Sequence, residues 1–270
     1  MIVDNASEPP TNAIDDTTNF VRTHYHDFLN REPDPPGLAF WVNNIESCGV
    51  NVACREVKRI DTSASFFLST EFQQTGFFVY RAYTASFGPN RIGGIVPLTL
   101  QEFLPDFQQV GRGVIILNPG ADALLESNKQ AYLLQFVQRS SFTTLYPPAT
   151  TPAAFVDALN ANTGNSLTAA QRNALVAQLT ANNTNQGRAD VLRAVVDNTA
   201  FQAREFNRAF VLVQYFGYLR RNPNDAPDAD FGGFTFWLNK LNAFGGDFRA
   251  AEMIKAFITS FEYRKRFGLN

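Results

Sequence analysis

Three aspartates in one short loop have the residue type and spacing of a candidate cation site. Asp225, Asp228 and Asp230 lie between Pro223 and Gly233, and hard cations such as Ca²⁺ take several oxygen ligands from loops of this kind. The spacing misses the EF-hand pattern, because no glutamate follows at the twelfth position. The three aspartates are therefore candidate ligands of a calcium ion. The alternative, which the sequence favours, is that Asp230 caps the next helix while the other two aspartates are solvated in a turn.

The two histidines give little support for a catalytic centre. His24 and His26 are two residues apart in a predicted helix, so their side chains diverge and cannot chelate one metal ion as residues four apart would. Without another histidine, the chain has little from which to build a Ser-His-Asp or Cys-His site. No spacing indicates a glycosidase-type pair of carboxylates. The sequence thus assigns no catalytic residue, and no cofactor besides the predicted calcium ion.

Cys48 and Cys54 are the only cysteines in the chain. The five residues between them suit a small disulfide loop between two helices, and they suit zinc poorly because no second pair of ligands is visible. We predict a disulfide, which indicates an oxidising compartment. The N-terminal sequence lacks the charged and apolar regions of a signal peptide. We therefore expect the chain to be part of a larger secreted protein.

Composition indicates a well-cored globular protein and argues against two kinds of partner. Charged residues make up 18% and apolar residues 45% of the chain, which excludes a disordered protein. The 26 phenylalanines indicate an aromatic core. The formal net charge of −2, without a block of lysines or arginines, argues against nucleic-acid binding. No apolar run approaches the length that a bilayer requires, so we expect no membrane insertion.

Two stretches near opposite ends of the chain are copies of one another. Three segments recur in the same order: 20–33 as 210–223, 37–43 as 233–239, and 69–72 as 260–263. A degenerate middle copy begins near Phe155 and ends near Phe201. Repeated segments of this kind are architectural units, because stacked copies bury faces that a single copy cannot.

The apolar periodicity predicts an all-α fold of about three interlocked helical units in one compact domain. Residues 1–15 are predicted to be a linker or the end of a preceding module, and residues 16–270 a single domain. The units span about 17–87, 153–216 and 208–268. Glycines and prolines interrupt residues 88–150, which we expect to be an irregular crossover with one helical turn near 100–107 and a long helix from 121 to about 142. Single helices are predicted at about 56–72 and 73–87.

Matched positions in the two clear copies carry tryptophan. Trp41 and Trp237 follow Phe40 and Phe236, respectively, at the same place in a predicted helix. An indole face could stack on a sugar ring, which is the functional interpretation of these residues. Packing between helices is the alternative, and the sequence favours it.

Matched positions also carry an arginine and a glutamate. Arg31 and Arg221 each precede the recurring proline, and Glu71 and Glu262 each lie in the recurring Ser-x-Glu segment. We expect Arg31 to pair with Glu71, and Arg221 with Glu262, so that helix one is held to helix three in each copy. A surface ion pair contributes little to stability, so the recurrence indicates that these pairs are partly buried.

The recurring pattern resembles a bacterial domain of unknown function that is related to the phycobilisome linker domain. The first copy carries it in Tyr25, Phe28, Leu29, Arg31, Pro33, Asp34, Gly37, Trp41, Ser69, Glu71 and Phe72. The last copy carries it in Tyr215, Tyr218, Leu219, Arg221, Pro223, Gly233, Trp237, Ser260, Glu262 and Tyr263. The resemblance covers both ends of the chain, the middle weakly and residues 88–150 hardly at all. It implies an all-α fold in secreted or cell-surface bacterial proteins, with no known catalytic residues. The opening Ile2-Val3-Asp4-Asn5 also resembles the last strand of a Calx-beta module.

These observations lead to one functional hypothesis and two alternatives. We expect a non-catalytic interaction module of a secreted or cell-surface bacterial protein, one that binds a surface component such as a polysaccharide or a neighbouring subunit, as adhesion requires. The first alternative is a hydrolase of extracellular polymers that uses carboxylates brought together from separate helices. The second is a structural spacer without a ligand. A cleft with two acidic side chains would favour the hydrolase, and an exposed aromatic patch would favour binding.

Overall fold

The computed structural model describes residues 12–116 and 118–268, and this part of the chain is built from α-helices, with one isolated β-bridge between Ile92 and Val96. The helices are α1 (Thr17–His24), α2 (Pro35–Glu46), α3 (Val52–Leu68), α4 (Thr70–Gln74), α5 (Gly76–Phe87), α6 (Leu100–Gly111), α7 (Ala121–Phe136), α8 (Ser140–Leu145), α9 (Pro152–Asn162), α10 (Ala169–Ala181), α11 (Asn185–Val196), α12 (Thr199–Gln214), α13 (Gly232–Ala243), α14 (Met253–Thr259) and α15 (Phe261–Lys265). The all-α prediction is confirmed. Most of the predicted linker and the segment that resembles a Calx-beta strand lie outside the described residues.

Side-chain caps in the sequence determine where many helices begin. Asp34 accepts a hydrogen bond from Gly37 N at 2.8 Å at the start of α2, and Asn51 accepts one from Cys54 N at 3.0 Å at the start of α3. Such caps satisfy backbone N–H groups that have no partner within the helix. Ser69 caps α4 in the same way, so the predicted helix at 56–72 is two helices, α3 and α4.

Residues 88–150 are more regular than the sequence predicts. The expectation of one helical turn near 100–107 is wrong, because α6 has twelve residues. Thr99 and Glu102 form a capping box at its start, and Phe103 and Phe107 are buried on one face of the helix. The predicted long helix from 121 to 142 is also divided, since α7 ends at Phe136 and α8 begins four residues later.

Two helices end in a widened π-helical turn, at equivalent places in the two clear copies. α1 continues into the turn Tyr25–Leu29, and α12 continues into the turn Tyr215–Leu219. A left-handed residue follows each turn, Asn30 with φ 52° and Arg220 with φ 55°. π-Helical turns are rare and occur frequently at functional sites, so this shared geometry directs attention to the residues that follow.

The two π-helical turns pack directly against each other in the aromatic core. The rings of Phe28 and Tyr218 meet edge to face with centroids 4.9 Å apart, and both residues are buried. Gly217 makes this approach possible, because a Cβ atom there would lie 2.6 Å from the Phe28 ring. The first and last copies therefore share one core.

Candidate functional site

In the first copy, a tyrosine, a glycine and a tryptophan meet at the start of α2. The side chains of Tyr25 and Trp41 line the same pocket. A Cβ atom on Gly37 would collide with the Tyr25 hydroxyl oxygen. The recurring glycine therefore has a physical reason, since a larger residue would displace the tyrosine that lines the pocket with the tryptophan.

The last copy repeats this arrangement at the start of α13. A Cβ atom on Gly233 would lie 2.6 Å from the hydroxyl oxygen of Tyr215. Trp237 lines the same pocket as Tyr215. The Gly-x-x-Phe-Trp pattern thus serves the same close approach in both copies.

The predicted arginine–glutamate pair forms in the first copy. Arg31 Nε donates to Glu71 Oε1 at 2.6 Å, and Arg31 Nη2 donates to Glu71 Oε2 at 2.8 Å. The guanidinium carbon also lies 5.0 Å from the centroid of the Tyr25 ring. The side chains of Arg31 and Glu71 are 18% and 10% exposed, respectively, so the pair is largely withdrawn from water.

The last copy contains the equivalent pair. Arg221 contacts Glu262 in the same two-pronged manner, at 2.5 and 3.0 Å, and lies 5.4 Å from the Tyr215 ring centroid. Burial alone would lower the pKa of Arg221, but its hydrogen bonds to Glu262 and Asp228 raise it above its ordinary value. The guanidinium is therefore a fixed charge in the pocket.

A serine positions the glutamate in each copy. Ser69 Oγ accepts from Phe72 N, and Ser260 Oγ accepts from Tyr263 N, both at 3.1 Å. Each serine begins the short helix that carries the glutamate. Phe72 and Tyr263 are fully buried and anchor these helices in the core. In the Ser-x-Glu-aromatic segment, the serine caps the helix, the glutamate pairs with the arginine, and the aromatic residue is buried in the core.

Each clear copy forms a pocket beside its tryptophan, and we call these the Trp41 pocket and the Trp237 pocket. Their volumes are about 270 and 290 Å³. The linings match by residue type: Tyr25, Leu29, Arg31, Trp41, Phe66 and Glu71 in the first, and Tyr215, Leu219, Arg221, Trp237, Phe257 and Glu262 in the second. Each pocket therefore combines apolar ring surface with a charged hydrogen-bonding edge.

An exposed phenylalanine stands beside the tryptophan of each pocket. Phe40 is 63% exposed and meets Trp41 edge to face at 4.9 Å. Phe236 is 57% exposed and meets Trp237 in the same way at 5.0 Å. The tryptophans also pack against the core, as the packing interpretation predicts. The phenylalanines are not explained by packing, because most of each side chain faces solvent.

The Trp41 pocket adjoins a larger cleft of about 540 Å³. The cleft and the pocket share Leu29 and Arg31, and the cleft continues along the end of α6 past Phe107 and Arg112. Volumes of 300 to 1,000 Å³ are typical of ligand-binding clefts. The first copy therefore offers the larger concave surface of the two.

The carboxylates in these pockets do not form an acid–base pair. A glycosidase needs one carboxyl group that donates a proton and another that acts as nucleophile or base. In the Trp237 pocket, Glu262 and Asp228 both bind the guanidinium of Arg221. In the Trp41 pocket, both oxygens of Glu71 accept from Arg31. These carboxylates hold the arginines in place.

The three aspartates of the predicted calcium site have separate partners. Asp225 accepts from Asn222 N at 2.9 Å, Asp228 pairs with Arg221 at 2.8 Å, and Asp230 accepts from Gly232 N at 2.7 Å. Within residues 12–116 and 118–268 there is no group of three His, Cys, Asp or Glu side chains that could hold a metal ion. As placed, each aspartate is engaged separately, so the arrangement favours the alternative of a capped turn, and the calcium hypothesis is left to measurement.

Asp228 has a role that sequence alignment did not predict. In the first copy, Asp34 Oδ2 lies 3.5 Å from Arg31 Nη1, and in the last copy Asp228 takes the equivalent position beside Arg221. Asp228 is thus the counterpart of Asp34, and of the six extra residues in the last copy four precede it and two follow it. The signal was present in the sequence, since both aspartates precede the recurring glycine.

His24 and His26 diverge, as their spacing predicts. His24 is fully buried, its Nδ1 lies 2.7 Å from the Phe20 carbonyl oxygen, and its Nε2 lies 2.5 Å from Ser63 Oγ. Burial lowers the pKa of His24 to about 3, so the ring is neutral. Ser63 in turn hydrogen-bonds the Tyr218 hydroxyl at 2.5 Å. This network joins the first and last copies within the core and has no access to a ligand.

The two cysteines form the predicted disulfide. Cys48 and Cys54 are bridged, with their Cα atoms 5.6 Å apart. The bridge closes the turn between α2 and α3, and Val50 at the tip of that turn is 99% exposed. None of the helices in the described part of the chain is long and apolar enough to cross a membrane.

Comparison with known families supports one part of the predicted resemblance. Residues 11–75 match a family described as "Domain of unknown function (DUF4214)". The matched range contains Tyr25, Gly37, Trp41 and Glu71, and therefore most of the Trp41 pocket. No curated protein and no solved structure matches the chain.

Proposed function

We propose that this protein is a non-catalytic module that binds polysaccharide through the Trp41 and Trp237 pockets. The observation that carries the proposal is the duplication: two pockets with the same six residue types, each flanked by a solvent-exposed phenylalanine. If each tryptophan served only to pack the core, an exposed phenylalanine beside it in both copies would have no function. A repeated site suits a ligand whose chemistry repeats.

The chemistry of the pockets suits a sugar. The C–H groups of a pyranose face pack on aromatic rings, and its hydroxyl groups need donors and acceptors at the ring edge. In the first copy, Phe40 and Trp41 supply rings, while Arg31, Glu71 and Ser69 supply polar atoms around them. Small-molecule sites generally combine apolar lining with a few placed polar groups in this way.

The setting that we propose is the outside of a bacterial cell. The Cys48–Cys54 disulfide supports an oxidising compartment, and the resemblance to modules of secreted proteins agrees with it. We also propose that the chain is related to the phycobilisome linker domain and that it contains about three repeat units. The partner would then be a surface or matrix polysaccharide.

Binding can be measured with the isolated protein and a panel of soluble polysaccharides: dextran, mannan and alginate. We expect retardation in affinity gels that contain one of these polymers, and weaker retardation for Phe40→Ala and for Phe236→Ala. Both residues are exposed, so neither change should disturb folding. Phe244→Ala is the matched control, since Phe244 is also exposed, at 48%, whereas the rings that meet Trp41 and Trp237 edge to face are those of Phe40 and Phe236.

The same samples separate this proposal from its alternatives. Release of reducing ends from any polymer would indicate the hydrolase instead. Retardation that is unaffected by both phenylalanine variants would show that the pockets are not the site. Absence of retardation with every polymer tested would overturn the proposal and favour a spacer or a protein partner.

A further inference from the structure

The first and last copies are related by an approximate two-fold axis. Phe28 of the first copy contacts Tyr218, the residue that occupies the equivalent position in the last copy. Phe28 also contacts Gly217, whose counterpart is Asp27. Asp27 in turn lies beside Tyr218, since Arg266 Nη1 donates both to Asp27 at 2.8 Å and to the Tyr218 carbonyl oxygen at 2.6 Å. Reciprocal contacts of this kind, i with j and j with i, are what a two-fold relation produces.

A second contact, away from these turns, joins a helix to its own counterpart. α3 corresponds to α14, and the two helices pack together, with Glu56 of α3 paired to Lys255 of α14. An element that packs on its own counterpart is also what a two-fold relation produces. The two-fold relation is therefore not confined to the π-helical turns.

A two-fold relation limits how a polysaccharide can occupy both pockets. A glycan chain has a direction, from its non-reducing to its reducing end. If a chain segment in one pocket runs perpendicular to the two-fold axis, the equivalent segment in the other pocket runs in the opposite direction. If it runs parallel to the axis, the two equivalent segments lie side by side and not end to end. One straight chain therefore cannot pass through both pockets with the same contacts in each. Two pockets of matching chemistry consequently call for two chain segments.

We infer that each molecule of this protein holds two polysaccharide chains at once, one in the Trp41 pocket and one in the Trp237 pocket, and thereby cross-links them. This inference rests on the proposed function and adds to it. The rigid packing of the two copies on one core keeps the two sites at a set spacing and orientation. The cleft beside the Trp41 pocket makes that site the larger one.

Cross-linking has a signature that simple binding lacks. When the protein is added to dextran, mannan or alginate of high molecular mass, light scattering should rise and then fall again as excess protein saturates each chain singly. Trp41→Ala and Trp237→Ala should each retain binding and lose this rise, and the double variant should lose binding. The mass of the unliganded protein should be measured first, because only a monomer makes the single-site variants decisive.

A second measurement covers the case in which a tryptophan variant fails to fold. Titration calorimetry of the wild-type protein with short oligosaccharides from the polymer that binds should give two molecules per protein, and Phe40→Ala should weaken one of the two sites. One oligosaccharide per wild-type protein, or undiminished scattering with a folded single-site variant, would overturn the cross-linking inference and leave polysaccharide binding intact. If no polymer binds, the proposed function fails and this inference fails with it.

Discussion

Arg31 and Glu71 are 40 residues apart in the chain and form a two-pronged ion pair at 2.6 and 2.8 Å beside Trp41. The counterpart residues Arg221 and Glu262 form the same pair beside Trp237. In both copies the glutamate lies on a short helix that a serine begins. The pair therefore joins the two ends of the unit and builds one wall of the candidate pocket at the same time.

Removing Glu71 should cost much more stability than removing an exposed partner elsewhere. Glu71→Ala leaves the guanidinium of Arg31 largely buried without its main acceptor, and we expect a loss of about 3 kcal/mol in the free energy of unfolding by urea. The control is Asp157→Ala, which breaks the exposed pair with Arg172 and should change stability little. Equal effects of the two changes would contradict a structural role for the recurring pair.

Gly37→Ala should destabilise the protein although alanine is the better helix former. The added methyl group collides with the Tyr25 hydroxyl, and we expect a loss of about 1 to 3 kcal/mol. Tyr25→Phe removes the colliding oxygen, so the double variant should be more stable than the sum of the single effects, as a double-mutant cycle would show. An increase in stability for Gly37→Ala alone would mean that the close approach does not exist in solution.

The buried His24 should make the protein less stable in mild acid. Its pKa is lowered to about 3 by burial, whereas the unfolded chain binds the proton near 6.5. Above pH 6.5 both states are neutral and His24 contributes no pH dependence. As the pH falls below that value only the unfolded state binds the proton, so stability decreases by about 1.4 kcal/mol per pH unit.

His24→Gln is the matched variant for this measurement. Gln214 occupies the equivalent position and donates from Nε2 to the Phe210 carbonyl oxygen at 2.9 Å, as the imidazole of His24 does to Phe20. The variant should fold and should lose the part of the pH dependence that His24 contributes between about pH 6.5 and 3. Asp27, whose pKa burial raises, contributes a slope of opposite sign in the acid range and is present in both proteins. If the stability of the variant and that of the wild-type protein depended on pH in the same way, His24 would be exposed to solvent in the folded protein.

Reducing the disulfide should cost a modest amount of stability. A loop as short as that between Cys48 and Cys54 restricts the unfolded chain by about 2 kcal/mol in the loop-entropy account. Urea unfolding with and without a reductant measures the difference, and the variant with both cysteines changed to serine should be indifferent to the reductant. Two reactive thiols in protein made under oxidising conditions would remove the support for an extracellular setting.

Calcium should leave the melting temperature unchanged. Asp228 is engaged by Arg221 and Asp225 by Asn222, so a cation would have to displace both contacts before it gained their oxygens. Scanning calorimetry with calcium and with a chelator tests this directly. A rise in the melting temperature that increases with calcium concentration, and that Asp230→Ala abolishes while magnesium fails to reproduce it, would instead establish the site predicted from the sequence.

Some of the candidate site could be predicted because its parts recur. The order of Arg31, Trp41 and Glu71 recurs in the last copy as Arg221, Trp237 and Glu262, which indicated that these residues belong together. The pocket itself could not be predicted, since its lining comes from the π-helical turn after α1 and from α2, α3 and α4, whose packing depends on the whole core. The equivalence of Asp228 with Asp34 was missed because the longer loop of the last copy obscured the alignment.

By itself the sequence determined the features that depend on short separations along the chain. Caps such as Asp34, the serine before each Ser-x-Glu helix and the Cys48–Cys54 loop are local, so residue type and spacing suffice to predict them. Only the tertiary structure decided that His24 is buried against Ser63, that α6 is a full helix, and that Phe28 packs on Tyr218 between the two π-helical turns. These features arise from contacts between residues far apart in sequence, where burial of apolar surface outweighs local preference.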